Sequence, residues 1–173
     1  MKRLLVSAFP IYSGVGVYSN LLFKLGFFDE NAFFKIRNSD MENGYSLIIK
    51  YKFNPHGLMT YFSTFSGSKY SKIVKDYDFV HVTSPDFFHL YKYNKNMVGT
   101  VHDIFPLDDK LSKSAYSIFY RYYFKKELGY MEDLKGIVVN SNQIKRKINE
   151  IYPNLDLTVI HEWTDDNFIP RDK

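Results

Sequence analysis

Short apolar runs alternate repeatedly with helical patterns along this chain. Each run has the length and composition of a strand that is buried on both faces. Each is followed by turn-forming residues, and most then by a stretch whose apolar residues recur every three or four positions. This alternation predicts an α/β fold, a Rossmann-like, doubly wound and mostly parallel sheet flanked by helices. The predicted strands are Leu4–Ala8, Ala32–Arg37, Tyr45–Tyr51, Phe79–Thr83, Met97–Val101, Gly136–Val139 and Leu157–Ile160.

Helical patterns occupy most of the intervals between these strands. The predicted helices are Val17–Leu25, Leu58–Lys75 with a kink near Ser66–Ser68, Phe87–Tyr91, Ser114–Leu134 and Gln143–Ile151. Sheets of this class bind ligands beyond the carboxyl ends of their strands. Four turns are expected to meet at that edge, namely Ser13–Gly16, Ser84–Asp86, His102-Asp103 and Asn140–Asn142.

Composition restricts the class of protein and its partners. The chain has 173 residues, of which 45% are hydrophobic and 24% charged, so one globular domain with a substantial core is expected. It contains no cysteine, which excludes disulfides and thiolate metal sites. Its net charge of +4 permits anionic partners such as phosphates or nucleotides. No zinc-finger, RRM or KH pattern is present, so a nucleic acid partner is not expected.

The first candidate site is the glycine-containing turn after the first strand. Ser13 is a suitable N-cap for the helix that follows. A phosphate is expected to bind at Gly14, Val15 and Gly16. The free N–H groups and the positive dipole of the helix N-terminus would stabilise its negative charge. A turn that only packs the helix on the strand is the competing interpretation, because a single GxG is a weak motif.

The second candidate is the pair His102-Asp103, which directly follows a buried strand. A histidine can donate or accept a hydrogen bond near neutral pH, so His102 suits contact with substrate hydroxyls. Asp103 is expected either to orient His102 or to cap the next turn. Ser84 and Ser141 stand on loops at the same edge and are expected to act as caps more readily than as ligands.

Two other kinds of site are not favoured. The sequence has no G-x-S-x-G elbow of a serine hydrolase. Its five histidines never form the H-E-x-x-H pattern, so no metal site is expected. His81 lies within a predicted strand and is interpreted as a core residue, while His161-Glu162 is assigned to a hinge.

Four segments occur in a characteristic order, namely SGVGVYSNLL near the start, VHDIFPL ending at Leu107, GIVVNSNQIKRKI over Gly136–Ile148, and VIHEWTDDNFIPRD near the end. Together they resemble the N-terminal domain of the family 4 glycosyltransferases, which have the two-domain GT-B fold. The resemblance implies transfer of a sugar from a nucleotide-sugar to an acceptor with retention of configuration and without an essential metal or other cofactor. It implies that Gly14 and Gly16 face the donor phosphates and that His102 lies near the transferred sugar.

The resemblance also implies a division of labour between two domains. Residues 1–160 would form the acceptor-side domain, and residues 161–173 would begin the interdomain linker. The donor domain with its E-x7-E segment is absent from the sequence, so the chain alone is expected to be inactive. The usual Asn-Gly-Val-Asp of the family is replaced here by His161-Glu162-Trp163-Thr164-Asp165.

The acceptor is expected to be a glycan or a lipid-linked molecule, and the protein to be cytoplasmic. Residues 58–75 combine aromatic side chains with Lys69, Lys72 and Lys75, which suits peripheral contact with an anionic membrane. A core-facing helix with a solvated basic side explains the same pattern. The alternative function is a non-catalytic Rossmann-like module that binds a nucleotide or a phosphorylated ligand.

Overall fold

The computed structural model describes residues 1–35, 44–50, 68–107 and 114–162. Its strands form one seven-stranded sheet in the order β3-β2-β1-β4-β5-β6-β7, and every neighbouring pair is parallel. The predicted Rossmann-like parallel sheet is therefore confirmed, and each predicted strand overlaps an observed one. The strands are β1 (Arg3–Ser7), β2 (Glu30–Lys35), β3 (Leu47–Lys50), β4 (Phe79–Val82), β5 (Met97–Val101), β6 (Gly136–Val139) and β7 (Leu157–Val159).

Within the described ranges, four α-helices connect the strands, together with three segments of 3₁₀ helix. The α-helices are α1 (Gly14–Lys24), α2 (Ser68–Lys75), α3 (Ala115–Leu128) and α4 (Asn142–Ile151), and the 3₁₀ segments are Pro85–Lys92, Phe105–Leu107 and Gly129–Asp133. In the part of the chain that the structure describes, no helix is long and apolar enough to cross a membrane.

Three helix predictions need correction. Helix α1 begins at Gly14, three residues before the predicted start at Val17, because Ser13 is its N-cap. The predicted helix 114–134 ends as an α-helix at Leu128 and continues as a 3₁₀ segment. The segment predicted as a short α-helix over 87–91 is 3₁₀ and begins at Pro85. Of the predicted helix 58–75 the structure describes α2 only, and residues 58–67 with the predicted kink at 66–68 lie largely outside the described ranges.

The sheet has its topological switch between β1 and β4. From β1 the chain first builds β2 and β3 on one side and then crosses to β4 on the other. Because all seven strands are parallel, their carboxyl ends share one edge of the sheet. Loops that leave neighbouring strands in opposite directions open a crevice at such a switch, and ligands of doubly wound sheets bind there. The four turns selected from the sequence all leave this edge.

A continuous apolar core covers the strands β1 and β4 to β7. Leu4, Val6, Val80, Val82 and Val101 are completely inaccessible to solvent. Full burial of such a side chain contributes about 1.5–3 kcal/mol to stability. These strands read as unbroken apolar runs because helices or loops cover both faces of the sheet.

A buried carboxylate lies beneath α3, in the 3₁₀ segment that follows β4. Asp86 accepts hydrogen bonds from the Ser84 hydroxyl at 3.1 Å and from the Tyr120 hydroxyl at 3.2 Å. Burial nevertheless raises the pKa of Asp86 to about 6, and the nearby Glu127 carboxylate adds to the increase. The two hydroxyl groups act in the opposite direction, but they do not offset the loss of water.

We expect Asp86→Asn to stabilise the protein at high pH. The native carboxyl binds its proton up to a higher pH than the unfolded one, so its ionisation destabilises the fold as pH rises from about 4 to about 6. Asparagine keeps an acceptor for Tyr120 and carries no charge. Urea unfolding should give the variant an advantage of about 3 kcal/mol at pH 8 that disappears near pH 4. The change Asp156→Asn at an exposed carboxylate controls for loss of one charge, and equal curves for wild type and D86N would contradict the prediction.

Candidate active site

The loop after β1 leads directly into the N-terminus of α1. The Ser13 hydroxyl accepts a hydrogen bond from the Gly16 N–H at 3.0 Å and donates one to the Pro10 carbonyl at 2.8 Å. The predicted N-cap is therefore confirmed. The N–H groups of Gly14 and Val15 lie in the same first turn, where an α-helix supplies no acceptor of its own. They are the groups of this turn that could face an anion.

The two glycines of this turn have different roles in the fold. A Cβ at Gly16 would lie 1.8 Å from the Pro10 carbonyl oxygen, so the loop packs against this position and admits only glycine. A Cβ at Gly14 would meet nothing within 4 Å. Neither glycine has a positive φ, whereas Gly26 and Gly44 do. Close packing against Pro10, and not a left-handed backbone conformation, therefore explains Gly16.

Alanine substitutions should separate packing from binding. Gly16→Ala forces a shift of the Pro10 backbone, and we expect it to lower the free energy of unfolding by at least about 3 kcal/mol. Gly14→Ala is the matched control, since it has open space and improves helix propensity, and it should be neutral or stabilising by up to about 1 kcal/mol. Thermal and urea unfolding of both variants measure this. Equal stability of the two variants would contradict the packing argument.

His102 lies just beyond β5 and connects three parts of the sheet edge. Its Nε2 is 3.0 Å from the carbonyl oxygen of Thr83, at the end of β4. Its Nδ1 is 2.5 Å from Oε1 of Glu162, and its ring packs edge-on against Tyr18 of α1 at a centroid distance of 4.8 Å. The side chain is only 9% exposed. His102 is thus held by β4, by α1 and by the segment after β7.

Glu162 belongs to the candidate site through its contact with His102, and the sequence did not reveal this contact. It was assigned with His161 to a hinge, but its carboxylate contacts His102 and also accepts from Asn140 Nδ2 at 3.3 Å. The Glu162 side chain is 44% exposed. The only sequence signal for it was the departure of residues 161–165 from the usual family pattern, because nothing local links it to His102, 60 residues away.

A line of buried polar groups lies behind His102. His81 Nε2 is 2.8 Å from the hydroxyl of Thr100, and the Tyr18 hydroxyl is 3.5 Å from the same oxygen. Burial lowers the pKa of His81 to about 4, and His102 adds to the decrease, so this histidine is neutral near pH 7. Burial also raises the pKa of Tyr18, an effect increased by the charge of Glu162. His81 is a core residue, as predicted.

Asp103 caps the turn that follows His102. Its Oδ1 accepts a hydrogen bond from the Phe105 N–H at 3.0 Å, which is one of the two roles expected for it. Beside it lies a groove of about 370 Å³ between this turn and α4. Apolar and charged residues both border the groove, namely Ile104, Phe105, Leu107, Ile144, Ile151, Asp103, Lys147 and Glu150.

The two serines of the site prediction lie at the same sheet edge but bond locally. The Ser141 hydroxyl accepts from the Ile144 N–H at 3.2 Å and caps α4. Ser84 is buried, precedes the 3₁₀ segment and donates to Asp86. The capping role expected for Ser141 is confirmed, whereas Ser84 makes no side-chain cap bond. Contact of either serine with a ligand, the less favoured expectation, stays a prediction.

Comparison with known proteins gives one family. The family model described as Glycosyltransferase Family 4 matches residues 33–168, which is more than half of the chain. His102, Asp103, Ser84, Ser141 and Glu162 lie within the matched range, and the turn of α1 lies before it. No curated protein matches the chain.

Two solved structures are similar to the chain at low sequence identity. The first is the Bordetella bronchiseptica enzyme WbmH in complex with NAD+, with a TM-score of 0.44, 12% identity, and coverage of 80% of this chain and 55% of that one. The second is a "putative epimerase" from Burkholderia cenocepacia J2315, with a TM-score of 0.43, 9% identity, and coverage of 80% and 52%. This chain spans about half the length of each.

Proposed function

Because the chain belongs to glycosyltransferase family 4, we propose that it is the N-terminal, acceptor-side domain of an enzyme of the two-domain GT-B architecture. The enzyme would move a sugar from a nucleotide-sugar to a glycan or a lipid-linked acceptor with retention of configuration. Residues 1–160 form this domain in the proposal, and residues 161–173 lead toward a second domain that holds the donor. The chain alone would bind substrates weakly and transfer no sugar.

The observation that carries the proposal is the placement of His102. It lies at the carboxyl edge of the sheet, where doubly wound folds bind ligands. Thr83, Tyr18 and Glu162 fix its ring from three directions. A ring held in this way is preorganised, and preorganised polar groups stabilise developing charge without the cost of reorienting. We assign His102 to contact with the transferred sugar.

The donor phosphates are assigned to the first turn of α1. The N–H groups of Gly14 and Val15, together with the helix dipole, can stabilise negative charge on the leaving phosphate. Gly16 supports this turn through packing, since its own N–H is bonded to Ser13. Neither a metal nor another cofactor is required in this proposal.

The acceptor is assigned to the groove beside Asp103. This groove opens at the same edge as His102, and Phe105 on its rim is 62% exposed. An exposed aromatic ring and several aliphatic side chains suit the ring face of a sugar or an apolar chain. Lys147 would offer a charge to an anionic part of the acceptor. The peripheral membrane contact through residues 58–75, and a cytoplasmic location, belong to the same proposal.

The decisive substitution is His102→Ala in the enzyme that contains this chain. We expect kcat for sugar transfer to fall at least 100-fold, which corresponds to about 3 kcal/mol of transition-state stabilisation. The melting temperature should fall by less than about 4 °C, because only a few contacts are lost. Transfer of labelled sugar to the acceptor, measured beside thermal unfolding, checks both. Turnover close to that of wild type would remove His102 from the site.

Ligand titration with the chain alone distinguishes the proposal from the non-catalytic alternative. A single domain that supplies one side of the donor site should bind UDP- and GDP-sugars with a Kd of about 1 mM or weaker. A self-sufficient nucleotide-binding module would bind one of them in the micromolar range, and Gly14→Ala would weaken that binding. Tight binding without transfer in any context would replace the enzyme proposal by the binding module.

A further inference from the structure

The hydrogen-bonding partners of His102 determine which of its ring nitrogens carry protons. The Thr83 carbonyl oxygen only accepts hydrogen bonds, so Nε2, at 3.0 Å, must carry a hydrogen. The Glu162 carboxylate is also an acceptor, and its Oε1 is 2.5 Å from Nδ1. Two lone pairs repel each other at that distance, so a second proton lies between Nδ1 and Oε1. The ring faces acceptors on both sides.

The position of Glu162 follows from the path of the backbone after β7. The Ile160 N–H donates to the Val139 carbonyl at 2.9 Å, and His161 Nδ1 donates to the Asn140 carbonyl at 3.1 Å. These bonds continue the alignment with β6 for two residues beyond the strand. Asn140 Nδ2 then donates to the Oε1 atom that contacts His102. Glu162 is therefore held both by the hydrogen bonds of the two residues before it and by the bond of its own carboxylate with Asn140.

The rest of the surroundings of His102 offers no competing negative charge among the described contacts. Tyr18 packs its ring against the imidazole, and His81 lies behind it, bonded to Thr100. The adjacent Asp103 carboxylate is bonded to the Phe105 N–H in the next turn. Glu162 is thus the carboxylate that pairs with this ring in the part of the chain the structure describes.

We propose that Glu162 is a positioning residue for His102. The Glu162 carboxylate holds a proton on Nδ1 of His102 and so fixes the ring with its Nε2–H hydrogen-bonded to the Thr83 carbonyl. The position of the proton does not depend on the proposed function, whereas the effect of Glu162 on sugar transfer rests on it. His102 then faces substrate as a hydrogen-bond donor and not as an acceptor. A phosphate or hydroxyl oxygen can approach Nδ1–H beside Oε1, because the Glu162 side chain is partly exposed, whereas the Thr83 carbonyl belongs to the sheet.

The direct test is ¹⁵N NMR of the imidazole at neutral pH, with His102 assigned from the spectrum of His102→Gln. In the wild-type chain both ring nitrogens of His102 should show the shifts of protonated nitrogen. In Glu162→Gln the Nε2 shift should persist, while Nδ1 should move to the range of an unprotonated nitrogen. Glu132→Gln removes an exposed carboxylate that borders a different pocket and should leave the spectrum unchanged. An unprotonated Nδ1 in wild type, or identical spectra for wild type and E162Q, would overturn the inference.

Kinetics of the enzyme that contains this chain test the consequence. Glu162→Gln should lower kcat about tenfold or more, with KM for donor and acceptor within about twofold of wild type. Glu162→Asp keeps the charge and should recover part of the loss. An unchanged kcat would show that the pair has no role in transfer and would overturn the proposal. Absence of transfer in wild type would instead count against the proposed function, and the NMR result would still decide whether Glu162 holds the proton.

Discussion

Thr83 connects the elements on which the site depends. Its N–H donates to the Val6 carbonyl at 2.9 Å, which continues the β1–β4 pairing past the end of both strands. Its hydroxyl lies 2.7 Å from that of Ser19 in α1, and its carbonyl accepts from His102. Thr83 is completely buried, and a buried polar group must have partners to be tolerated. Thr83 thereby joins the two strands of the switch point, helix α1 and the imidazole of His102.

The interior of this domain contains more polar groups than a simple apolar core would. His81 and Thr100 form a neutral pair behind the site, while Glu127 accepts hydrogen bonds from both the backbone N–H and Nδ1 of buried His89. Asp86 lies in the same layer beneath α3. Such groups contribute little net stability when paired and cost several kcal/mol when a partner is removed. Their main effect is therefore to favour the one packing arrangement in which each of these polar groups has its partner, and their contribution to the free energy of unfolding is small.

The parallel sheet and its ligand-binding edge were predictable because they follow from local patterns. Buried strands such as Met97–Val101 have no polar interruption, and turn residues mark their ends. The start of α1 was misplaced because the glycines were interpreted as a turn, although Ser13 followed by Gly14 is an equally good cap and first helical residue. The 3₁₀ geometry of Pro85–Lys92 was not predictable, because it depends on contacts with α3 made far along the chain.

The candidate site was predictable only in part, for a related reason. His102 follows a buried strand, so its place at the edge could be inferred from the sequence. Glu162 could not be assigned to it, since the pairing depends on the alignment of β6 with β7 and on the loop after each. Contacts of this kind leave no periodic signal in the sequence.

The contrast between Gly14 and Gly16 affects how related sequences should be compared. A glycine that is required by a neighbouring carbonyl will persist in any relative with the same loop, whether or not that relative binds a phosphate. Gly16 is therefore a marker of ancestry and loop geometry, and its presence gives no information about activity. Position 14 has open space for a side chain, so packing does not require its glycine, and a relative can replace that residue without disturbing the loop.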